Sequence, residues 1–159
     1  MSLYHDCLRR YRISYEDSHQ TETIIAFALK LENVAHQHET ERGLTEGFLT
    51  ANGTFSGDEM LQQRKKSDQA VDTLREFIDR HKHSLQGITI NTDKLIDLRR
   101  QKDIVRDKVD QFDDNHNAFK YYSLVNKKAI DSIDLLTTFL GEVTLRSELN
   151  DIVSMLWLK

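Results

Sequence analysis

Proline is absent from this sequence, glycine occurs only six times and cysteine once. With no proline, nothing breaks a helix from within, and with so few glycines most turns must be made by Asn, Asp and Ser. These absences point to an all-α fold of long helices. The single Cys7 excludes an internal disulfide, so the fold rests on packing. Positive charge is not in excess: 22 Lys and Arg face 26 Asp and Glu, a net charge of −4, which argues against a nucleic-acid surface. No run of about 18 uninterrupted apolar residues exists to span a membrane. No apolar leader is visible at the start of this sequence, where Tyr4, His5, Asp6, Arg9, Arg10 and Arg12 interrupt any apolar run. What is present is 38% hydrophobic residues in 159, enough for the core of one domain.

Those hydrophobic residues recur in steps of three and four. From about Asp17 to Asn52 one stripe carries Ile24, Phe27, Ala28, Leu31, Val34, Ala35, His38, Arg42, Thr45 and Leu49. Asn52-Gly53 suits a left-handed helix stop, and Ser56-Gly57-Asp58-Glu59 reads as a capping box. A second helix presents Met60, Ser67, Val71, Leu74, Ile78 and Leu85, with Arg64 and Asp68 as an i,i+4 pair at its margin. Gln86-Gly87 ends it, and Ile88 and Ile90 plug one end of the fold. Asn91 or Thr92 caps a third helix, whose seam is Leu95, Leu98, Lys102, Val105, Val109 and Phe112. After the polar turn at residues 113–117, a last helix carries Tyr122, Val125, Ala129, Ile133, Leu136, Leu140, Val143, Ile152 and Leu156.

Short connections make sequential helices pack antiparallel, so the expected architecture is an up-down four-helix bundle over residues 17–159. Residues 1–16 either begin the first helix or lie across the bundle. The apolar pattern still running at Ile152 to Lys159 suggests a piece of a longer protein. The apolar surface that such an end would leave open suggests a homodimer.

Arg42 conflicts with its surroundings. Counting about 100° per residue from Leu31, His38 falls about 20° to one side, Arg42 about 20° to the other, and Glu41 about 80° away. On this reading Arg42 points into the seam, where a guanidinium, which cannot lose its proton, must find a negative partner. Glu41 is poorly oriented for it. Asp68 or another acid on a facing helix is one option, and a small planar anion held in the guanidinium fork, with Arg64 as second donor, is another.

The stretch His38-Glu39-Thr40-Glu41-Arg42-Gly43-Leu44, continued through Asn52-Gly53 and followed by Phe55, Leu61, Gln63-Arg64 and Asp68, resembles the start of the nitrate- and nitrite-sensing domain family. The resemblance implies a helical sensory input domain of bacterial chemoreceptors, sensor kinases and antiterminators. In that family two helical bundles hold nitrate or nitrite between arginines. It also implies a membrane-anchored parent with the sensor outside the membrane, a cytoplasmic setting being the alternative. Arg42 is the position carried over as an anion ligand, Arg64 is a second, and His38 completes the candidate ligand-binding set. The family is longer, with further arginines in a second bundle that would begin about where Lys159 ends.

Other signals carry less. His36, His38, His81 and His83 lack the i,i+4 spacing of helical metal ligands. No phosphate loop or nucleophile elbow is present, which argues against an enzyme, and no cofactor is implied. Of the adjacent Tyr121 and Tyr122, one is expected in the core and the other on the surface. Lys102 on the third seam is expected to set register or snorkel. The rival to a sensor is a structural or protein-interaction bundle with no small ligand, its Arg42 satisfied internally.

Overall fold

The computed structural model describes the backbone of residues 3–54, 57–85, 88, 90–112 and 115–156, and the side chains of 18–54, 57–85, 88, 92–112 and 117–141. The described regular structure is entirely helical. Helix α1 spans Leu3–Thr50 and α2 spans Gly57–Arg80. Helix α3 (Ile90–Leu98) runs through a 3₁₀ turn (Arg99–Gln101) into α4 (Lys102–Asp110), and α5 spans Asn115–Leu156. Taking α3 to α4 as one interrupted stretch, the chain has four helical segments among the described residues.

The opening residues begin the first helix, since α1 is already helical at Leu3. It stops where Asn52 and Gly53 turn left-handed, at φ 47° and 78°. There Gly53 N–H returns to the Phe48 carbonyl at 2.9 Å, satisfying one of the helix's last acceptors. Of the expected capping box, Ser56 lies outside the described residues. Helix α2 ends at Arg80 rather than near Leu85; Leu85 and Ile88 are both buried, and the side chain of Ile90, expected to plug one end of the fold with Ile88, lies outside the described residues. Asn91 and Thr92 do not precede α3 but fall inside its first turn, because the helix starts at Ile90.

The third segment is not one continuous coiled-coil-like helix. A 3₁₀ turn advances about 120° per residue against about 100° in an α-helix, so three such residues rotate everything after them by roughly 60°. That rotation puts Arg106 on the buried face beside Val105 and Val109. Phe112, expected in the seam, instead sits at φ 55° and half-exposed, stacked on Phe48 at 5.2 Å.

Helix α1 packs along both α5 and α2, and α3 and α4 lie on α5. The core is built from Ile24, Phe27, Leu31 and Val34 of α1, Met60, Val71 and Leu74 of α2, Leu95 and Val109 of the third segment, and Tyr122, Val125, Ala129 and Leu136 of α5. Tyr121 and Tyr122 are both buried, packed edge to face, so neither is the surface residue expected of the pair. Val143, Ile152 and Leu156 lie outside the described side chains.

Along α1 the buried set repeats every seven residues, at Ile24, Leu31, His38 and Thr45 and again at Phe27, Val34 and Glu41. A seven-residue repeat is 3.5 residues per turn, which drifts by about 20° per heptad from the 3.6 of an isolated helix. Measured on that repeat, Glu41 lies about 26° from the seam's centre and Arg42 about 77° from it. The expectation that Arg42 points into the seam is therefore corrected: Glu41 is wholly buried, whereas the Arg42 side chain is 36% exposed.

Candidate functional site

Two charged places follow from this register, one inside the fold and one at its surface. The inner one forms because the heptad buries Glu41 and the 3₁₀ turn buries Arg106. Arg106 Nε and Nη2 donate to the two Glu41 oxygens at 2.8 and 2.9 Å. Its Nη1 donates to both oxygens of Asp68 at 3.0 and 3.1 Å. Tyr122 Oη–H donates to Glu41 Oε1 at 2.9 Å, which explains why a tyrosine is buried there.

The pairing extends outward. Lys102 Nζ donates to Asp68 at 3.1 Å, and Arg99 donates to Asp72. Arg64 is buried and grips Asp110 of α4 with Nη1 and Nη2 at 2.9 and 2.8 Å. The i,i+4 pair of Arg64 with Asp68 is thereby corrected: Arg64 points across to α4, and Asp68 serves Arg106 and Lys102. Lys102, expected to set register or snorkel, forms ion pairs with Asp68 and Asp103.

These contacts set the ionisation of the cluster. Burial pushes the Glu41 carboxyl up, but the hydrogen bonds and charge of Arg106, helped by the Ser67 and Tyr122 hydroxyls, outweigh it and hold it below its usual value. Burial likewise disfavours charge on Arg106, and Glu41 and Asp68 more than restore it, so its pKa is raised. His38 is buried, with Nδ1–H donating to the Val34 carbonyl at 2.8 Å. Burial lowers its pKa, against the opposing pull of that carbonyl and of Glu41. With Glu41, Asp68, Asp72, Asp103 and Asp110 against Arg64, Arg99, Lys102 and Arg106, the cluster carries no surplus of positive charge. A buried arginine paired with carboxylates is one of the two options open for Arg42 from the sequence; the residues that meet this description are Arg106 and Arg64.

The outer place is a groove of ≈ 390 Å³ between α1 and α5, lined by Glu39, Arg42, Ser123, Asn126, Lys127, Ile130 and Asp131. Arg42 Nη2 donates to Glu39 Oε1 at 2.6 Å, so its partner is neither Glu41 nor Asp68. Glu39 Oε2 in turn accepts from Asn126 Nδ2 of α5 at 2.6 Å. Lys127 pairs with Asp131 at 3.1 Å.

Of the three residues singled out from the sequence, only Arg42 lines this groove. Arg64 belongs to the inner cluster, and His38 is enclosed by the core of α1. Glu41, Arg106 and Tyr122 were missed as polar centres. The seven-residue repeat through Phe27, Val34 and Glu41 was the available signal for Glu41, and nothing local in the sequence foretells the rotation that buries Arg106.

A family model described as nitrate and nitrite sensing matches residues 33–159, most of the chain. The chain belongs to the nitrate and nitrite sensing family. It is thus a sensory input domain of signal transduction, from a family that is sensory rather than catalytic. The match contains Glu41, Arg42, Arg64 and Arg106, so both charged places lie within the nitrate- and nitrite-sensing unit. No curated protein and no solved structure matches the chain. No described helix is long and apolar enough to cross a membrane. Among the described residues, no group of three or more His, Cys, Asp or Glu is placed to hold a metal ion.

Proposed function

We propose that this domain binds nitrate or nitrite at the groove containing Arg42 and relays binding as a shift of α1 against α5. The observation that carries the reading is the family match over residues 33–159, within which Arg42 has a partly exposed guanidinium beside a groove. Nitrate and nitrite are planar anions that accept hydrogen bonds from a guanidinium fork, and charge-assisted bonds of this kind are the strong ones. Arg64 and His38 act in this reading as positioning groups, Arg64 by fixing α2 to α4 and His38 by filling the seam of α1.

The relay needs helices that can slide together, and an up-down antiparallel four-helix bundle over residues 17–159, with residues 1–16 as the start of the first helix, meets that need. Its support is the order of contacts. From Thr45 to Glu39 on α1, the partners on α5 run from Tyr122 to Asn126. From Gln37 to Phe27, the partners on α2 run from Gln63 to Phe77. In this proposal the domain works as a homodimer in a membrane-anchored receptor, on the outer side of the membrane. The exposed Ile25 and Leu29 of α1 offer apolar surface for the pairing.

One observation favours the rival structural reading: Arg64 and Arg106 are both paired with carboxylates of the chain itself. Calorimetry with sodium nitrate, nitrite and chloride on the protein and on Arg42→Ala separates the two. The sensor reading expects heat with nitrate or nitrite, none with chloride, and loss of that heat in Arg42→Ala. Absence of nitrate and nitrite heat, or heat indifferent to the substitution, supports the structural bundle.

A further inference from the structure

The acid on Arg42 has the shape of the anion. A carboxylate, like nitrate and nitrite, is a planar, delocalised group of charge −1 that presents two oxygens to a guanidinium. Glu39 uses them separately: Oε1 takes the Arg42 hydrogen bond and Oε2 takes that of Asn126, each at 2.6 Å. One carboxylate therefore ties α1 to α5 across the groove. The i,i+3 spacing of Glu39 and Arg42 puts both on one face of α1, so the pair forms within the helix itself.

Two consequences follow. Arg42 and Lys127 are balanced in the groove by Glu39 and Asp131, so an approaching anion meets no net positive charge while Glu39 stays in place. Asn126 is held in an unfavourable state, because its Oδ1 is buried with no hydrogen-bond partner while its Nδ2 serves Glu39. A buried amide oxygen without a donor is a cost to the fold. Loss of the Glu39 contact lets that amide turn, so an event at Arg42 is felt on α5.

We infer that Glu39 is a built-in competitor for the anion: it occupies Arg42 in place of ligand, and ligand must displace it, releasing Asn126 and loosening α1 from α5. This rests on the reading of Arg42 as the anion-binding residue. Glu39 thereby sets the affinity threshold of the sensor and couples occupancy to helix movement.

The test is calorimetry of the protein, Glu39→Gln, Glu39→Ala and the Glu39→Ala/Arg42→Ala double variant against sodium nitrate, nitrite, formate and chloride. Glu39 is half-exposed, so its replacement leaves the fold intact, which a circular dichroism melt verifies. An exposed ion pair and a unit charge a few ångströms away are each worth up to about fivefold in a binding constant, so Glu39→Ala should tighten nitrate or nitrite about fivefold or more. Glu39→Gln, which keeps the size but not the charge, should give part of that gain. Formate, a free carboxylate, should bind Glu39→Ala better than the parent, and the double variant should bind none of the anions. Equal nitrate affinity in the parent and Glu39→Ala overturns the competitor role and leaves the nitrate reading standing. Formate binding to Glu39→Ala, with no nitrate or nitrite binding to either protein, supports the competitor role and sinks the nitrate reading. A Glu39→Ala protein that binds no anion overturns the competitor role.

Discussion

At the scale of single residues, the carboxylate of Glu41 is wholly buried and still ionised, because Arg106 brings two hydrogen bonds and a full charge to it. Removing one member of such a pair leaves the other buried and unmatched, at about 3–5 kcal/mol, whereas replacing both by apolar residues of similar volume is often close to neutral. Urea unfolding should therefore find Arg106→Ala destabilised by about 3–5 kcal/mol and Glu41→Leu/Arg106→Met much less so. Arg42→Ala, which removes only a half-exposed pair, should change stability by less than about 1 kcal/mol. Stability should also fall with acid in two stages. The folded His38 has a pKa below 6.5, so on acidification the unfolded chain takes up that proton first, and the native state loses ground as the pH drops below about 6.5. The folded Glu41 has a pKa below 4.5, so its contribution is complete above that value and disappears as the pH falls through its lower native one. Urea midpoints measured from pH 8 to 3 test both stages, and His38→Gln should remove the His38 contribution to the first stage while sparing the second.

At the scale of elements, Gly43 within α1 and Gly53 at its stop have opposite roles. Gly53 has φ 78°, and a Cβ there would sit 2.7 Å from the Phe112 ring. Gly53→Ala should therefore cost about 1 kcal/mol or more and lower the melting temperature. Gly43 lies within α1, and nothing comes within 4 Å of where its Cβ would stand. Gly43→Ala should stabilise the helix by about 0.5–1 kcal/mol, a rise in the urea midpoint without a change in slope. The 3₁₀ turn at Arg99–Gln101 is the element on which the inner cluster depends. It rotates α4 so that Arg106 and Asp110 reach Glu41, Asp68 and Arg64, while Arg99 and Lys102 stay near Asp72 and Asp68.

At the scale of the whole molecule, a ligand that binds only the folded state must raise its stability by mass action. If the proposed sensing is right, nitrate at about one hundred times its dissociation constant should add about 2.7 kcal/mol, in thermal melts at constant ionic strength, and chloride should not. The increment should vanish in Arg42→Ala and grow at a given nitrate concentration in Glu39→Ala. The inner cluster, being neutralised from within, is expected to hold α4 in place whether or not an anion is present.

The helical class, the long first helix, its stop at Asn52-Gly53 and most core residues were legible in the sequence, because these depend on local preference and on periodicity along one helix. The Glu-Arg-Gly-Leu segment and the Gln-Arg helix carried the family resemblance, since a motif is local by nature. The exchange of roles between Arg42 and Glu41 was not legible from a single helix counted at 3.6 residues per turn. Only packing of α1 against its neighbours imposes the 3.5-residue repeat that turns Glu41 inward and Arg42 out to the groove. Arg106 was decided further away still, by a 3₁₀ turn on another helix. Its carboxylate partners lie 65 and 38 residues back along the chain. The pairing of the inner cluster is set by which side chains the tertiary fold brings within reach, and sequence spacing, which suffices for the i,i+3 pair of Glu39 and Arg42, does not contain that distance.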